Sequence, residues 1–355
     1  MDRSNFLSNN GDRAFRCLGM RGLVAMLCLL LAGCGEDAGE TLLRDYQQHL
    51  AETLSLEPPS RSAPANIAAF PERDQRLFEI AETREGMLDI FALRECHIAN
   101  LVAGRNNQLG KVAAPSQRWL YELQLWRKLS GCWNTDVPES LSADSRERLA
   151  HLTRTKTAEL PQVSWNALFA SDEWVKNFSR ASSPLSPEAL DEVEPRSAAL
   201  AYLREATLHQ FDRDWQPDSS TLEGHLKTLQ ERPLSAELLR TLLLTEQRLV
   251  EASTMLEQAL DGDAESACRG AADAVADAPE VARLSAWLDD LERAARHWFE
   301  AIDALLEVQV APPPAVADYR RSWLSLTHAD APLPAFHAAR DHHAALRQRL
   351  ARQCQ

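Results

Sequence analysis

The stretch 104–118 (GRNNQLGKVAAPSQR) sets Arg105, Lys111 and Arg118 among Asn106, Asn107, Gln108 and Gln117, with no acidic residue. Guanidinium and ammonium groups donate charge-assisted hydrogen bonds to carboxylate or phosphate oxygens. Arg105, Asn106, Asn107, Lys111, Gln117 and Arg118 are therefore a candidate anion-binding set. A local reading competes with it: Gly104, Asn106, Asn107 and Gly110 are turn formers, Arg105 and Asn107 would cap the preceding helix, and Lys111 would pair with an acidic neighbour. Cysteine offers the second chemistry. Cys96, Cys132, Cys268 and Cys354 include no pair two to four residues apart, the spacing of a zinc site. They suit two disulfides in an oxidising compartment or four buried thiols, and three connectivities exist. An antiparallel hairpin around 104–118 favours Cys96 with Cys132, although their distances from the loop are unequal, and Cys268 with Cys354 would pin the last helix to the loop after Leu260.

His328, Asp330, His337, Asp341, His342 and His343 are the densest group of metal-type ligands. On one helix His337 and His342 stand about 140° apart, so a solvated helix face is expected and neither metal nor cofactor. The sequence contains no G-x-S-x-G, H-E-x-x-H, P-loop, C-x-x-C or C-x-x-C-H. None of the ten histidines follows a glutamate by three residues, which argues against a di-iron bundle. The reading leans away from an enzyme, and no catalytic residue is assigned.

A distinct signal lies at the N-terminus. Residues 22–31 (GLVAMLCLLL) are uncharged and apolar and follow Arg13, Arg16 and Arg21, as in a secretory signal. Ten residues are about half of what spans a bilayer. Leu31-Ala32-Gly33-Cys34 resembles the lipobox of bacterial lipoproteins, which implies cleavage of 1–33 and a diacylglyceryl and fatty acyl (palmitate) anchor on Cys34. Met20 precedes Arg21, so either Met1 or Met20 could start the chain. Gly35 rather than aspartate after the cysteine implies, by the same resemblance, the periplasmic face of the outer membrane. Residues 34–41 would be the lipidated tether, and the membrane the first partner.

Losing 1–33 removes four basic and two acidic residues, which takes the net charge from −14 to −16. Such a surface disfavours nucleic acid and suits a protein partner of the envelope. Only seven glycines follow residue 41, too few for turn-rich β folds or glycine phosphate loops. The apolar periodicity predicts an all-α multi-helix bundle, as one unit or two packed sub-bundles, with an N-terminal part 42–218 and a C-terminal bundle 219–355.

Leu42 to Leu54 predicts a first helix, and Pro58 to Pro71 a linker. Further helices are expected at 84–103, 116–130, 143–159, around Trp165 to Phe178, after Ser186-Pro187-Glu188, at 197–213 and at 235–260, with a capping box at Ser220-x-x-Glu223. The stripe Val281, Leu284, Leu288, Leu291, Ala295, Trp298, Ile302, Leu305 steps by three and four residues. It should pack on the helices at 235–260 and 335–354. Trp119 and Trp126 share a helical face, more commonly a core use than a sugar platform.

Leu42-Leu43-Arg44-Asp45-Tyr46, Leu93-Arg94-Glu95-Cys96, Arg105-Asn106-Asn107-x-Leu109-Gly110-Lys111-Val112, Pro115-Ser116-Gln117 and Trp165-Asn166-Ala167-Leu168-Phe169 together resemble a family of small gammaproteobacterial envelope lipoproteins grouped as a domain of unknown function. The resemblance covers essentially the whole mature chain and implies localisation without activity, cofactor or catalytic residue. The leading expectation is a non-catalytic interaction or scaffold lipoprotein. The alternative is a binding module for an anionic glycan or peptide using 104–118, and an envelope hydrolase comes third.

Overall fold

The eight apolar positions from Val281 to Leu305 are all buried along one helix face in the computed structural model. The structure describes residues 38–354 except 61, 82, 84, 263–267 and 269–278. The expected signal segment 1–33 and Cys34 lie outside the described residues. Among the described residues every regular element is helical, and no helix is long and apolar enough to cross a membrane.

Among the described residues nine helices reach eight residues: α1 (Ala38–Leu54), α2 (Ala99–Asn106), α3 (Pro115–Trp133), α4 (Ala143–Phe169), α5 (Val193–Leu208), α6 (Ser219–Glu231), α7 (Leu234–Asp261), α8 (Pro279–Glu307) and α9 (Pro332–Gln353). The most extensive pairings are α7 with α9, α3 with α4, and α5 with α8, and α1 lies against α7 and α8. α8 thus lies closest to α5, and it also meets the two helices expected to receive it, through Trp298 to Ser235 of α7 and through Glu292 to Arg340 of α9. One apolar core draws on both the 42–218 and 219–355 parts. A second, smaller cluster of Leu93, Ile98, Leu125, Leu129, Leu149 and Leu152 surrounds the Cys96–Cys132 disulfide at the far end of the α3–α4 hairpin. The other disulfide joins Cys268 to Cys354, as the expected pairing had it.

Several elements differ from expectation for physical reasons. α1 begins at Ala38, so helix occupies part of the 34–41 tether, and Glu40 pairs with Arg248 at 3.2 Å. The helix expected at 84–103 is broken into Met87–Ala92, a 3₁₀ turn Arg94–Cys96 and α2, with His97 left-handed at φ 55°. Leu93 and Ile98 would lie about 140° apart on a continuous helix. The break turns both of them inward together with Cys96, and all three are buried. Conversely, α4 continues through Pro161 to Phe169 instead of stopping at 159. An internal proline costs about 3 kcal/mol, and full burial of Trp165 and Phe169 on the following turns offsets it. The segment expected around Trp165 to Phe178 is therefore the end of α4 plus a short helix Asp172–Lys176.

The capping box at Ser220 and Glu223 is not formed. Asp218 is the N-cap of α6, accepting from the Thr221 amide at 2.8 Å, and Glu223 instead accepts from Ser116 and Gln117. Nor is the histidine cluster a uniformly solvated face. His343 is buried, with Nε2 2.5 Å from the Tyr46 hydroxyl and Nδ1 3.2 Å from Ser253 Oγ. Ser253 donates its own proton to the Leu249 carbonyl at 2.8 Å, so it accepts from Nδ1–H, and Nε2 accepts from Tyr46. Burial, helped by Arg347 and His342, pushes the imidazole pKa down to about 3, and burial pushes the Tyr46 phenol up to about 12. A neutral Tyr–His–Ser relay therefore ties α1, α9 and α7 together.

Candidate functional site

The α3–α4 hairpin is antiparallel: Trp126 Nε1 donates to Thr157 Oγ1 at 3.0 Å, and Glu122 faces Lys156. An extended segment crosses α4 beside it and is fixed by side chains rather than by a sheet. The Asn166 amide accepts from the Phe78 N–H at 2.9 Å and donates to the Phe78 carbonyl at 2.8 Å. Trp165 Nε1 donates to the Arg76 carbonyl at 2.7 Å, and Arg76 Nε donates to the Phe169 carbonyl at 2.8 Å. Further along, Arg148 on α4 pairs with Glu85 at 3.1 Å and Asp89 at 2.9 Å. α2 and the single turn Gln108–Lys111 complete the enclosure.

Between these walls lies a cleft of about 800 Å³, within the usual size range of ligand pockets. Its lining includes five cations, Arg73, Arg105, Lys111, Arg118 and Lys156, against two carboxylates, Glu85 and Glu122, in a chain of net charge −14. Lys156 is buried and pairs with Glu122 at 3.3 Å and Glu159 at 3.0 Å. Burial nevertheless holds the Glu122 carboxyl above the ordinary carboxylate range, and it pushes the adjacent Tyr121 phenol up to about 12. Among the described residues Arg73, Arg105, Lys111 and Arg118 have no carboxylate within ion-pair distance. Arg105 reaches the Gly110 carbonyl at 2.6 Å, and Arg118 reaches the Lys111 carbonyl at 3.2 Å. These bonds order the loop without an ion pair, and the Arg105 charge acts on Glu122 and Tyr121 only at longer range.

Of the six residues read from the sequence, the structure places Arg105, Asn106, Lys111 and Arg118 on the cleft. Asn107 is the N-cap of the turn, accepting from the Gly110 amide at 2.8 Å. Gln117 points to α6, donating to Glu223 at 2.8 Å and Ser219 at 3.0 Å. The stretch is not a plain loop between two buried helices, because α2 buries none of its residues. Arg73, Tyr121, Glu122 and Lys156 were not singled out in the sequence. Lys156 sits mid-helix with nothing local to distinguish it from a solvated lysine, and Arg73 is more than thirty residues from the loop it joins.

Two serine–histidine contacts occur elsewhere. Ser253 with His343 is sealed in the core, and Ser197 with His297 at 2.8 Å is exposed; none of the four lines the cleft. Among the described residues no group of three or more His, Cys, Asp or Glu is placed to hold a metal ion.

Residues 43–355 match the model of a family described as protein of unknown function (DUF3080), and the chain belongs to that family. No curated protein and no solved structure matches the chain.

Proposed function

We propose that this member of the DUF3080 family is a non-catalytic binding module that takes an anionic ligand into the cleft beside Lys111, on a chain tethered to the bacterial envelope through lipid on Cys34. The observation that carries the first half is the concentration of cations on one cleft, four of them without a carboxylate partner, in a strongly acidic chain. A cleft with low-dielectric walls focuses such a field and favours an anion over the surrounding surface. The scaffold reading predicted from sequence explains the acidic exterior and leaves the cleft unexplained. Support for the second half is the sequence 22–34 alone: the apolar run, the preceding arginines and Leu31-Ala32-Gly33-Cys34.

Lys111→Glu with Arg118→Glu tests the binding reading, because both side chains are exposed and neither supports the core. Titrated with the fluorescent anion 8-anilinonaphthalene-1-sulfonate, the unsubstituted chain should show saturable binding, and the double variant should bind at least tenfold more weakly with an unchanged melting temperature. Equal binding by both, or a much lower melting temperature in the variant, would make the loop structural. For the anchor, Cys34→Ser should abolish lipid labelling and leave the precursor uncut. Mature, lipid-bearing protein from that variant refutes the anchor.

A further inference from the structure

The cleft is not polar throughout, and its polarity changes along α3. Successive α3 residues facing it are Arg118, then Tyr121 and Glu122, then Leu125, then Leu129, a run of about 16 Å along the helix. Antiparallel α4 gives the cleft Lys156 opposite Glu122 and Leu152 toward the Leu129 end, while Val163, Asn166 and Ala167 line it toward the Arg118 end. The charge of Lys156 is met by Glu122 and Glu159, so the middle of the cleft is close to neutral. Of the cations without an ion-paired carboxylate among the described residues, Lys111 and Arg118 touch each other, and Arg73 stands on the segment bound to the C-terminal end of α4. The opposite end is made by Ile98, Leu125, Leu129 and Leu152, which also belong to the smaller apolar cluster. The cleft thus ends against an apolar cluster whose side chains, none more than 7% exposed, form its floor.

A second observation concerns the rim. Met87 (88% exposed), Leu88 (84%), Leu109 (79%), Val112 (76%) and Phe91 (63%) include the most exposed large apolar side chains of the described residues. All five sit on or beside the two segments that give Ile90 and Lys111 to the cleft. Isolated exposed leucines are ordinary, but five on two segments that both line one cleft mark a surface that meets apolar material. A glycan or an inorganic anion would use the cations and leave both the apolar end and the rim without a role.

We infer that the ligand of this cleft is a single-chain amphiphile, with an anionic head group at the Arg73, Lys111 and Arg118 end and a hydrocarbon tail running toward Leu129 and Leu152. The inference rests on the binding reading above and names its ligand class. The head group is a carboxylate, as in a free fatty acid, or a phosphate, as in a lysophospholipid; guanidinium and ammonium groups serve both. The tail lies along α3, and the exposed rim passes it between membrane and cleft.

The test uses the full chain carrying Cys34→Ser, so that no lipid is attached, and the apolar run 22–31 that this precursor keeps is common to every variant compared. Octanoate, laurate, palmitate, 1-palmitoyl lysophosphatidylglycerol, glycerol 3-phosphate and dodecyl maltoside are each titrated by calorimetry. Affinity should rise by about fourfold per added methylene until the cleft is filled, and the stronger of palmitate and the lysophospholipid identifies the head group. Lys111→Glu with Arg118→Glu should weaken every charged ligand at least tenfold. Ala81→Trp, at an exposed position on the lining, should weaken palmitate and leave glycerol 3-phosphate unchanged. If glycerol 3-phosphate binds as tightly as the lysophospholipid, or affinity ignores chain length, the amphiphile is wrong and the anion-binding reading stands. If dodecyl maltoside binds as well as laurate and the double variant changes nothing, both fall. If no amphiphile binds while the sulfonate probe does, only the inference falls.

Discussion

Around His343 three helices converge on polar groups that satisfy one another, whereas around Lys156 the chain leaves charged groups facing a cleft. The first region is filled by aromatic and leucine side chains drawn from eight of the nine long helices described. The second has only eight fully buried residues, two of them the cysteines of a disulfide. A small cluster cannot by itself offset the entropy of ordering its segments. The disulfide replaces the missing core, which lets the same segments stay open and carry apolar side chains at the surface. One region is built to be closed, and the other to be held open.

That contrast can be broken by attacking each region at its own support. The largest loss is expected from Trp298→Ala. The indole is fully buried and donates to Ser235 at 2.8 Å, tying α8 to the start of α7. Removing it should cost about 3–5 kcal/mol through the cavity, with the orphaned Ser235 hydroxyl adding to it. Global denaturant midpoint should fall, and all helices should lose hydrogen-exchange protection together.

Cys96→Ser with Cys132→Ser should act differently. The bridge closes a separation of 36 residues, for which loop entropy amounts to about 4 kcal/mol. Because few contacts join that end to the main core, the loss should be local. Exchange should quicken from 87 to 111, while amides of α7 and α9 keep their protection. Uniform loss across the chain would show that the two regions are one cooperative unit.

The long helices of the closed region were legible because they obey one rule: every three or four residues an apolar side chain must face the core, as from Val281 to Leu305. Which helix each stripe meets was not legible, since spacing fixes a face and says nothing of its partner. α8 meets α5 most closely, a partner not expected, beside the expected α7 and α9. The open region was misread where local signals are weakest. No glycine or proline marks the break at His97, which is imposed by the need to bury Leu93, Cys96 and Ile98 together. The excess of cations at 104–118 was visible in composition. Their meeting with Arg73 and Lys156 depends on Asn166 and Trp165 pinning a segment nearly ninety residues away.

Acid offers a smaller perturbation, directed at the closed region. Folded His343 resists protonation until about pH 3, whereas the unfolded imidazole binds its proton near 6.5. Between those values the unfolded state carries the extra proton, so stability rises with pH and is lost as pH falls below 6.5. From pH 6.5 to 5 the loss is about 2 kcal/mol at most. Glu122, whose carboxyl pKa burial raises, works in the opposite sense. Comparing the pH slope of the denaturant midpoint with that of His343→Gln isolates the imidazole. An unchanged slope in the variant would mean that water reaches His343.

The finest comparison lies within the open region, between two glycines six residues apart. A Cβ added at Gly104, inside α2, would meet nothing within 4 Å, whereas one at Gly110 would strike the backbone carbonyls of Gly104 and Arg105. Gly104 thus costs helix propensity without giving space to anything, and Gly104→Ala should stabilise α2 by about 1 kcal/mol. Gly110 is there because the turn must press against the end of α2, where its carbonyl receives Arg105 at 2.6 Å. Gly110→Ala must push the turn away, and Lys111 with it. Hydrogen exchange of α2 should slow in the first variant and quicken in the second, and binding of the sulfonate probe should weaken only in the second. If Gly110→Ala leaves probe binding intact, the position of Lys111 does not matter to the cleft, and the turn is a connector.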